Sequence, residues 1–512
     1  MSSAAPLSGA TLDDIQGFIT RGYGHLRHSA YLFVAMRNAQ AGRRWLTCIA
    51  PLITSAKAWP VDDRGMPVKP AAAINLALTA EGLAACGLPK AVLCTFAPEF
   101  MEGMASAQRA HILGDSGGSA ADYWELGGPR NEPLHAVVII HARDPATLDS
   151  VCAAQRALLV TTPDGGIREV KNGLQRGYRP ESDCEPFGFR DAIAQPAIRG
   201  LHGTDGAAAG ATDNAVAAGE FILGHENHYG LIAPAPVAPG ELDPHALLPP
   251  SANPYHAGRN LHDFGRNGSY LVYRKLRQDV AGFWRFMREE SIRASGSADP
   301  AHMIWLAAKC VGRWPGGAPL TLAPHADDAR LAQRNDFLYE RDREGYGCPL
   351  GAHVRRSNPR DVLNPYPVAQ SRSMTEAHRI LRRGRVFGPP LFDPYLLQRT
   401  PTAAERQTLL ALQDDGQARG IHFLCVNASI KSQFEFIQQN WCNNPRFGGL
   451  YDNKDPLIGS VAAGEAASTM SIPGQPVGTR TQALPRFVSV SAGAYLFMPS
   501  LPALRFLAAL DA

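Results

Sequence analysis

The sequence has little excess charge, no paired cysteine motif and no long apolar run. Lys plus Arg number 50 against 47 Asp plus Glu, a net charge of +3 over 512 residues, which is too slight an excess to suggest a nucleic-acid partner. The nine cysteines (Cys48, Cys86, Cys94, Cys152, Cys184, Cys310, Cys348, Cys425 and Cys442) are scattered, odd in number and never spaced as C-x-x-C. Neither a zinc site nor a disulfide framework is indicated, and a reducing compartment is expected. No apolar stretch reaches the ~18 residues of a membrane helix, and residues 1–10 lack a basic region ahead of an apolar run. These absences predict a cytoplasmic protein with no membrane partner.

What is present is an ordinary globular composition, 45% hydrophobic and 19% charged, on a chain long enough for two domains of roughly 150–250 residues and for a large cofactor. Residues 30–36, 72–78 and 135–141 read as buried strands. Asp144-Pro145 supplies a cap and a first-turn proline for a helix through 159, and Thr79 with Glu81 opens another. Residues 113–130 read as a long loop. The second half repeats the plan: Tyr270-Leu271-Val272-Tyr273 leads to Ala281-Gly282-Phe283-Trp284 much as Tyr31-Leu32-Phe33-Val34 leads to Ala41-Gly42-Arg43-Arg44-Trp45, and a strand at 423–426 precedes a helix from about 429 to 440. The expected fold class is α+β, two duplicated ferredoxin-like domains, each an antiparallel sheet with helices, over residues 11–200 and 266–512. An irregular, Ala-, Gly- and Pro-rich connection spans 201–265.

Three segments carry candidate chemistry. In Cys348-Pro349-Leu350-Gly351-Ala352-His353-Val354-Arg355-Arg356 a single histidine sits among arginines; taken alone it is more often a surface residue than a ligand, but imidazole is a normal axial ligand of haem iron and arginine pairs with a cofactor's carboxylates. In Glu185-Pro186-Phe187-Gly188-Phe189-Arg190-Asp191-Ala192 a carboxylate lies among apolar neighbours, which raises an acid's pKa. His378 to Gly388 alternates imperfectly, as a strand with arginines on both faces. His225 and His228 have metal-like spacing without a third ligand and read as loop residues.

Gly188-Phe189-Arg190-Asp191, Cys348-Pro349-Leu350-Gly351-Ala352-His353 and Leu381-Arg382-Arg383-Gly384, together with Asp14-Ile15-Gln16-Gly17 and the stretch from Gln433 to Trp441, resemble the dye-decolorizing peroxidases in order and approximate spacing over nearly the whole chain. The resemblance implies one haem b in the C-terminal domain, with His353 as the proximal iron ligand, Asp191 as the distal acid-base group and Arg382 as the distal arginine. Arg379 and Arg383 stand near enough to compete for that last role. It also implies that Ile421 and Phe423 cover the distal face. Arg355 or Arg356 is expected to neutralise a haem propionate, and Asp342 or Asp455 to accept the second N–H of His353. The implied partners are hydrogen peroxide and an aromatic electron donor; self-association is left open. One departure stands out: the family's G-x-x-D-G ends here in Ala192. If that position needs a positive φ, alanine costs about 1 kcal/mol. That departure motivates the rival reading, a non-enzymatic haem carrier or sensor on the same fold.

Overall fold

The computed structural model describes residues 7, 9–160, 166–201, 214–363, 366–398, 402–461 and 468–510; much of the Ala- and Gly-rich stretch at 207–218 therefore lies outside the described residues. Numbered here are the strands of the main sheet and the helices that pack on it or flank the site. The first half contributes β1 (His28–Met36), α1 (Ala39–Ile49), β2 (Ala72–Leu78), β3 (Ala136–Ala142), α2 (Pro145–Val160) and β4 (Ile167–Tyr178). The second contributes β5 (Ser269–Gln278), α3 (Val280–Ser295), α4 (Pro300–Val311), α5 (His353–Ser357), β6 (Leu381–Arg382), β7 (Arg385–Phe387), β8 (Gly420–Asn427), β9 (Val488–Met498) and α6 (Leu501–Ala509).

The first half pairs as β4-β1-β3-β2, all antiparallel. In the second, β8 lies between β5 and the short β6 and β7, while β9 flanks β5 on its other side. Both are the 4-1-3-2 order of a ferredoxin-like unit, so the fold is α+β and duplicated. The halves also join edge to edge, β2 to β9 through Leu78 and Phe497 and β4 to β7 through Tyr178 and Val386. The sheet thereby closes on itself into a barrel, which removes its free edges.

Closure explains why the strands read as continuous apolar runs. In β1, Tyr31 and Phe33 pack inward with Tyr273 and Leu424 of the other half, whereas Leu32 and Val34 pack outward with Trp45 and Leu46 of α1. Both faces are buried, so the period-2 signal disappears. The helices begin where capping chemistry puts them: Asn38 accepts from Ala41 N at the start of α1, Asp144 from Thr147 N ahead of Pro145, and Asp279 from Gly282 N at α3. The C-terminal α6 packs on α1 of the first half.

Two elements differ from expectation. The helix expected over 429–440 forms as π-helical stretches, Lys431–Glu435 and Ile437–Cys442; such bulges re-aim side chains and are common beside functional sites. The arginine-rich strand is split at Gly384, where a Cβ would stand 2.7 Å from the His422 carbonyl oxygen of β8. Only glycine lets the two backbones come that close. Among the described residues no helix is long and apolar enough to cross a membrane.

Candidate functional site

A cavity of about 240 Å³ in the second half is lined by His353 and Val354 of α5, Asp191, Arg382, Ile421 and Phe423. Strand alternation sets the last two: Ile421 and Phe423 face the cavity, while His422, Leu424 and Val426 of β8 turn away and are buried. Five of the residues singled out in the sequence thus meet at one space.

His353 opens α5, directly after the turn that Ala352 N closes onto Pro349 O. Its Nδ1 donates to Asp455 Oδ2 at 2.9 Å, so the tautomer is set and Nε2 is the nitrogen left to act as a ligand. Burial pushes the imidazole down, but Asp455 more than offsets this and raises it; the same pairing outweighs burial at Asp455 and holds its carboxyl below the ordinary value. Of the two acids considered, Asp342 is engaged elsewhere, accepting from Gly347 N and Cys348 N.

Asp191 ends a hairpin over residues 183–191, held by Asp191 N to Asp183 O at 2.9 Å and Glu185 N to Phe189 O at 2.9 Å. Arg382 Nη1 donates to Asp191 Oδ1 at 2.8 Å, and Arg382 N to Gln195 Oε1 at 2.9 Å. Its neighbours do other things: Arg383 donates to the carbonyls of Phe18 and Ile19, and Arg379 lines the cavity with one long bond, 3.4 Å, to Ala194 O. The expectation of a raised pKa for the acid of this segment is corrected at Asp191. Burial pushes it up, but the Arg382 guanidinium and the Ala192 N–H outweigh that and leave it lowered. Glu185 is the raised acid of the segment, pushed up to about 7 by burial. Ala192 does have a positive φ, 63°.

The two arginines expected at a propionate are also corrected. Arg355 donates to the carbonyls of Asp342, Cys348 and Arg343 and lies over the Tyr339 ring. Arg356 donates to those of Trp441, Asn444 and Asn453. Both are fully buried, and neither lines the cavity. A helix of five residues with His353 facing the cavity turns positions 355 and 356 into the protein, where backbone carbonyls consume them. The cavity-facing groups are Arg360, Arg379 and Asn358, and these have spare capacity. Arg360 Nε and Asn358 Nδ2 are buried without a hydrogen-bond partner, and burial together with Arg360 pushes Arg379 down to about 9. Unsatisfied donors in the lining, apolar walls that include Val311, Phe434, Ile437, Leu457 and Val488, and a free imidazole nitrogen fit a flat macrocycle that carries carboxylates. The signal for Arg360 was Pro359, which ends the helix and lets the next residue, at φ 56°, swing back.

His225 and His228 have separate partners, Asn267 for the first and Ser373 for the second, and among the described residues no group of three or more His, Cys, Asp or Glu could hold a metal ion.

No family model matches the chain. Individual proteins do. A peroxidase of Mycetinis scorodonius is 29% identical over 98% of this chain and 89% of its own length, and a multifunctional dye peroxidase of Amycolatopsis sp. is 28% identical over 99% and 97%. Among solved structures, an ancestral D-type dye-decolorizing peroxidase is 28% identical with a TM-score of 0.72, covering 98% of this chain and 99% of that one. A dye-decolorizing peroxidase in complex with 2,6-dimethoxyphenol is 25% identical with a TM-score of 0.72, covering 97% and 99%. End to end, in sequence and on a duplicated ferredoxin-like fold that closes into a barrel, the chain is similar to dye-decolorizing peroxidases.

Proposed function

We propose that the protein is a peroxidase that carries one haem b per chain, reduces hydrogen peroxide and oxidises phenolic or dye-type donors one electron at a time. The observation that carries this reading is the meeting, at one cavity, of an imidazole tied to Asp455 and the Asp191–Arg382 pair.

His353 Nε2 would hold the iron, and Asp455 keeps the imidazole in the required tautomer and strengthens it as a ligand. Arg360, Arg379 and Asn358 would take the propionates. When bound, haem supplies the iron centre that accepts two oxidising equivalents from peroxide and returns them singly to the donor. Asp191, ionised over the ordinary pH range, accepts a proton from one peroxide oxygen and returns it to the other, which leaves as water. Arg382 fixes Asp191 and places positive charge where negative charge develops as the O–O bond opens. Ile421 and Phe423 exclude bulk water from that side, which strengthens both effects.

The test is the absorption spectrum and steady-state turnover of haem-loaded protein with hydrogen peroxide and a phenol. A Soret band that His353→Ala loses, and turnover that Asp191→Asn loses, are expected. Haem-loaded protein without turnover would favour the carrier or sensor reading instead.

A further inference from the structure

The hairpin that delivers Asp191 carries a second carboxyl with no place in the mechanism above. Glu185 accepts from Phe187 N at 3.0 Å, Phe189 N at 3.0 Å and Gln278 Nε2 at 2.7 Å. Three donors and, among the described residues, no bonded cation make an unusual setting for a half-buried acid, since carboxylates held from water normally find a positive charge.

Its place is as telling as its partners. A second cavity, of about 320 Å³, lies at the seam where β4 meets β7. Glu185, Asp191, Arg382, Ile421 and Phe423 line both cavities, so they form the partition between them. Two of those five are acids, and only Asp191 has the guanidinium.

Gln278 at the end of β5 completes the device. It is nine-tenths buried, its Nε2 serves Glu185, and its Oε1 has no hydrogen-bond partner. Turning the amide by half a revolution would exchange the two atoms, so that Oε1 accepts from a protonated Glu185 as well as Nε2 donates to an ionised one. The pair can satisfy either charge state.

We propose that Glu185 is a charge-switching positioning residue of the distal side: neutral, it leaves Asp191 the sole anion of the partition; ionised, it sets a second negative charge there and counteracts Arg382. The titratable and charged groups that share the two cavities with it are Asp183, Cys184, Arg190 and Asp191 of its own hairpin, Arg179 just before it, Arg382, Arg383 and Arg385 on the side of the seam, and Arg313, His353, Arg360 and Arg379 on the other side; Gln278 is neutral. Burial, with the charge of Asp191 as a lesser cause, brings the Glu185 carboxyl up to about 7, whereas Asp191 is held below its ordinary value. Two neighbouring acids driven apart in this way take different roles, and the titration of Glu185 is well separated from that of Asp191.

This inference rests on the peroxidase reading, and the test separates the two. In haem-loaded wild type, kcat/KM for hydrogen peroxide and the affinity for cyanide, read from the Soret shift, are expected to fall by about 3- to 10-fold between pH 6 and 8. In Glu185→Gln, a neutral isostere, both profiles are expected to be flat over that window. Infrared difference spectra should show a carboxylic C=O band that titrates with the same midpoint in wild type and is missing in the variant. Should Glu185→Gln fail to fold, Gln278→Leu, which removes both partner atoms, is expected to displace the midpoint by at least about half a pH unit. A fall that persists unchanged in Glu185→Gln, or a midpoint unmoved in Gln278→Leu, overturns the assignment. Wild type with no turnover and no cyanide response would instead overturn the peroxidase reading.

Discussion

Replacing Ala192 by glycine tests whether the residue that departs from the family pattern weakens the distal site. At φ 63° an alanine carries a left-handed penalty of about 1–2 kcal/mol, and glycine removes it. Glycine also loses more chain entropy on folding, by about 0.5–1 kcal/mol, so Ala192→Gly should stabilise the protein by roughly 0–1.5 kcal/mol. For a chain of this length that is a rise in Tm of no more than about 3 °C. The N–H that supports Asp191 is retained, as is the Arg382 bond at 2.8 Å, so kcat/KM for peroxide should stay within about 3-fold of wild type. Ala192→Val, with a branched side chain at the same φ, should cost about 2–3 kcal/mol and lower activity with it. Thermal unfolding with steady-state peroxide kinetics on both variants is the assay. A gain of more than tenfold in kcat/KM on Ala192→Gly would show that the alanine does displace Asp191; a fall in Tm would show that its strain is not real.

Asp455→Asn should leave the fold intact and weaken iron retention about 10- to 100-fold, measured by haem transfer to an acceptor protein. Arg356→Met strands three carbonyl acceptors, two of them buried, and should cost about 3 kcal/mol or more in denaturant unfolding; Arg379→Ala, with one bond of 3.4 Å, should cost little stability and instead weaken haem binding. The pH dependence follows from sign. Asp191 has a lowered pKa in the folded protein, so its contribution to stability is present above the unfolded value and lost as pH falls through the folded one. Peroxide turnover should therefore persist down to the ordinary Asp range and fail only below it, as a pH profile at constant ionic strength would show.

Local chemistry made the fold readable, and long-range geometry hid part of the site. Thr79 and Asp144 announce helix starts because a cap is a contact between residues three apart, and the order of strand and helix in each half implies the ferredoxin-like plan. Closure of the barrel was not legible, since it depends on single pairs between Leu78 and Phe497 and between Tyr178 and Val386, hundreds of residues apart. That His353, Asp191 and Arg382 come to one place was legible through motif order, and they line one cavity. The choice between Asp342 and Asp455 was not, because it turns on which acid comes within 2.9 Å of Nδ1. Arg355 and Arg356 misled for the same reason: the sequence shows a charge and not its direction, and five residues of helix are enough to aim both guanidiniums at backbone carbonyls.

The arginines also show why a net charge of +3 says little about this site. Arg313, Arg355, Arg356, Arg383 and Arg385 are all buried and spend their guanidiniums largely on carbonyl oxygens, so they act as crosslinks between loops that the ladder of strands does not reach. A guanidinium suits this use because its five donors form a rigid fork that keeps its charge at any working pH. Arg382 differs in having a carboxylate as its partner, and Arg360 and Arg379 differ in keeping donors unspent beside a cavity. Arg382 is held beside Asp191 by β6, whose ladder with β8 continues in the same register into β7; between them, at Gly384, a Cβ would stand 2.7 Å from the His422 carbonyl oxygen, so glycine keeps that pairing close.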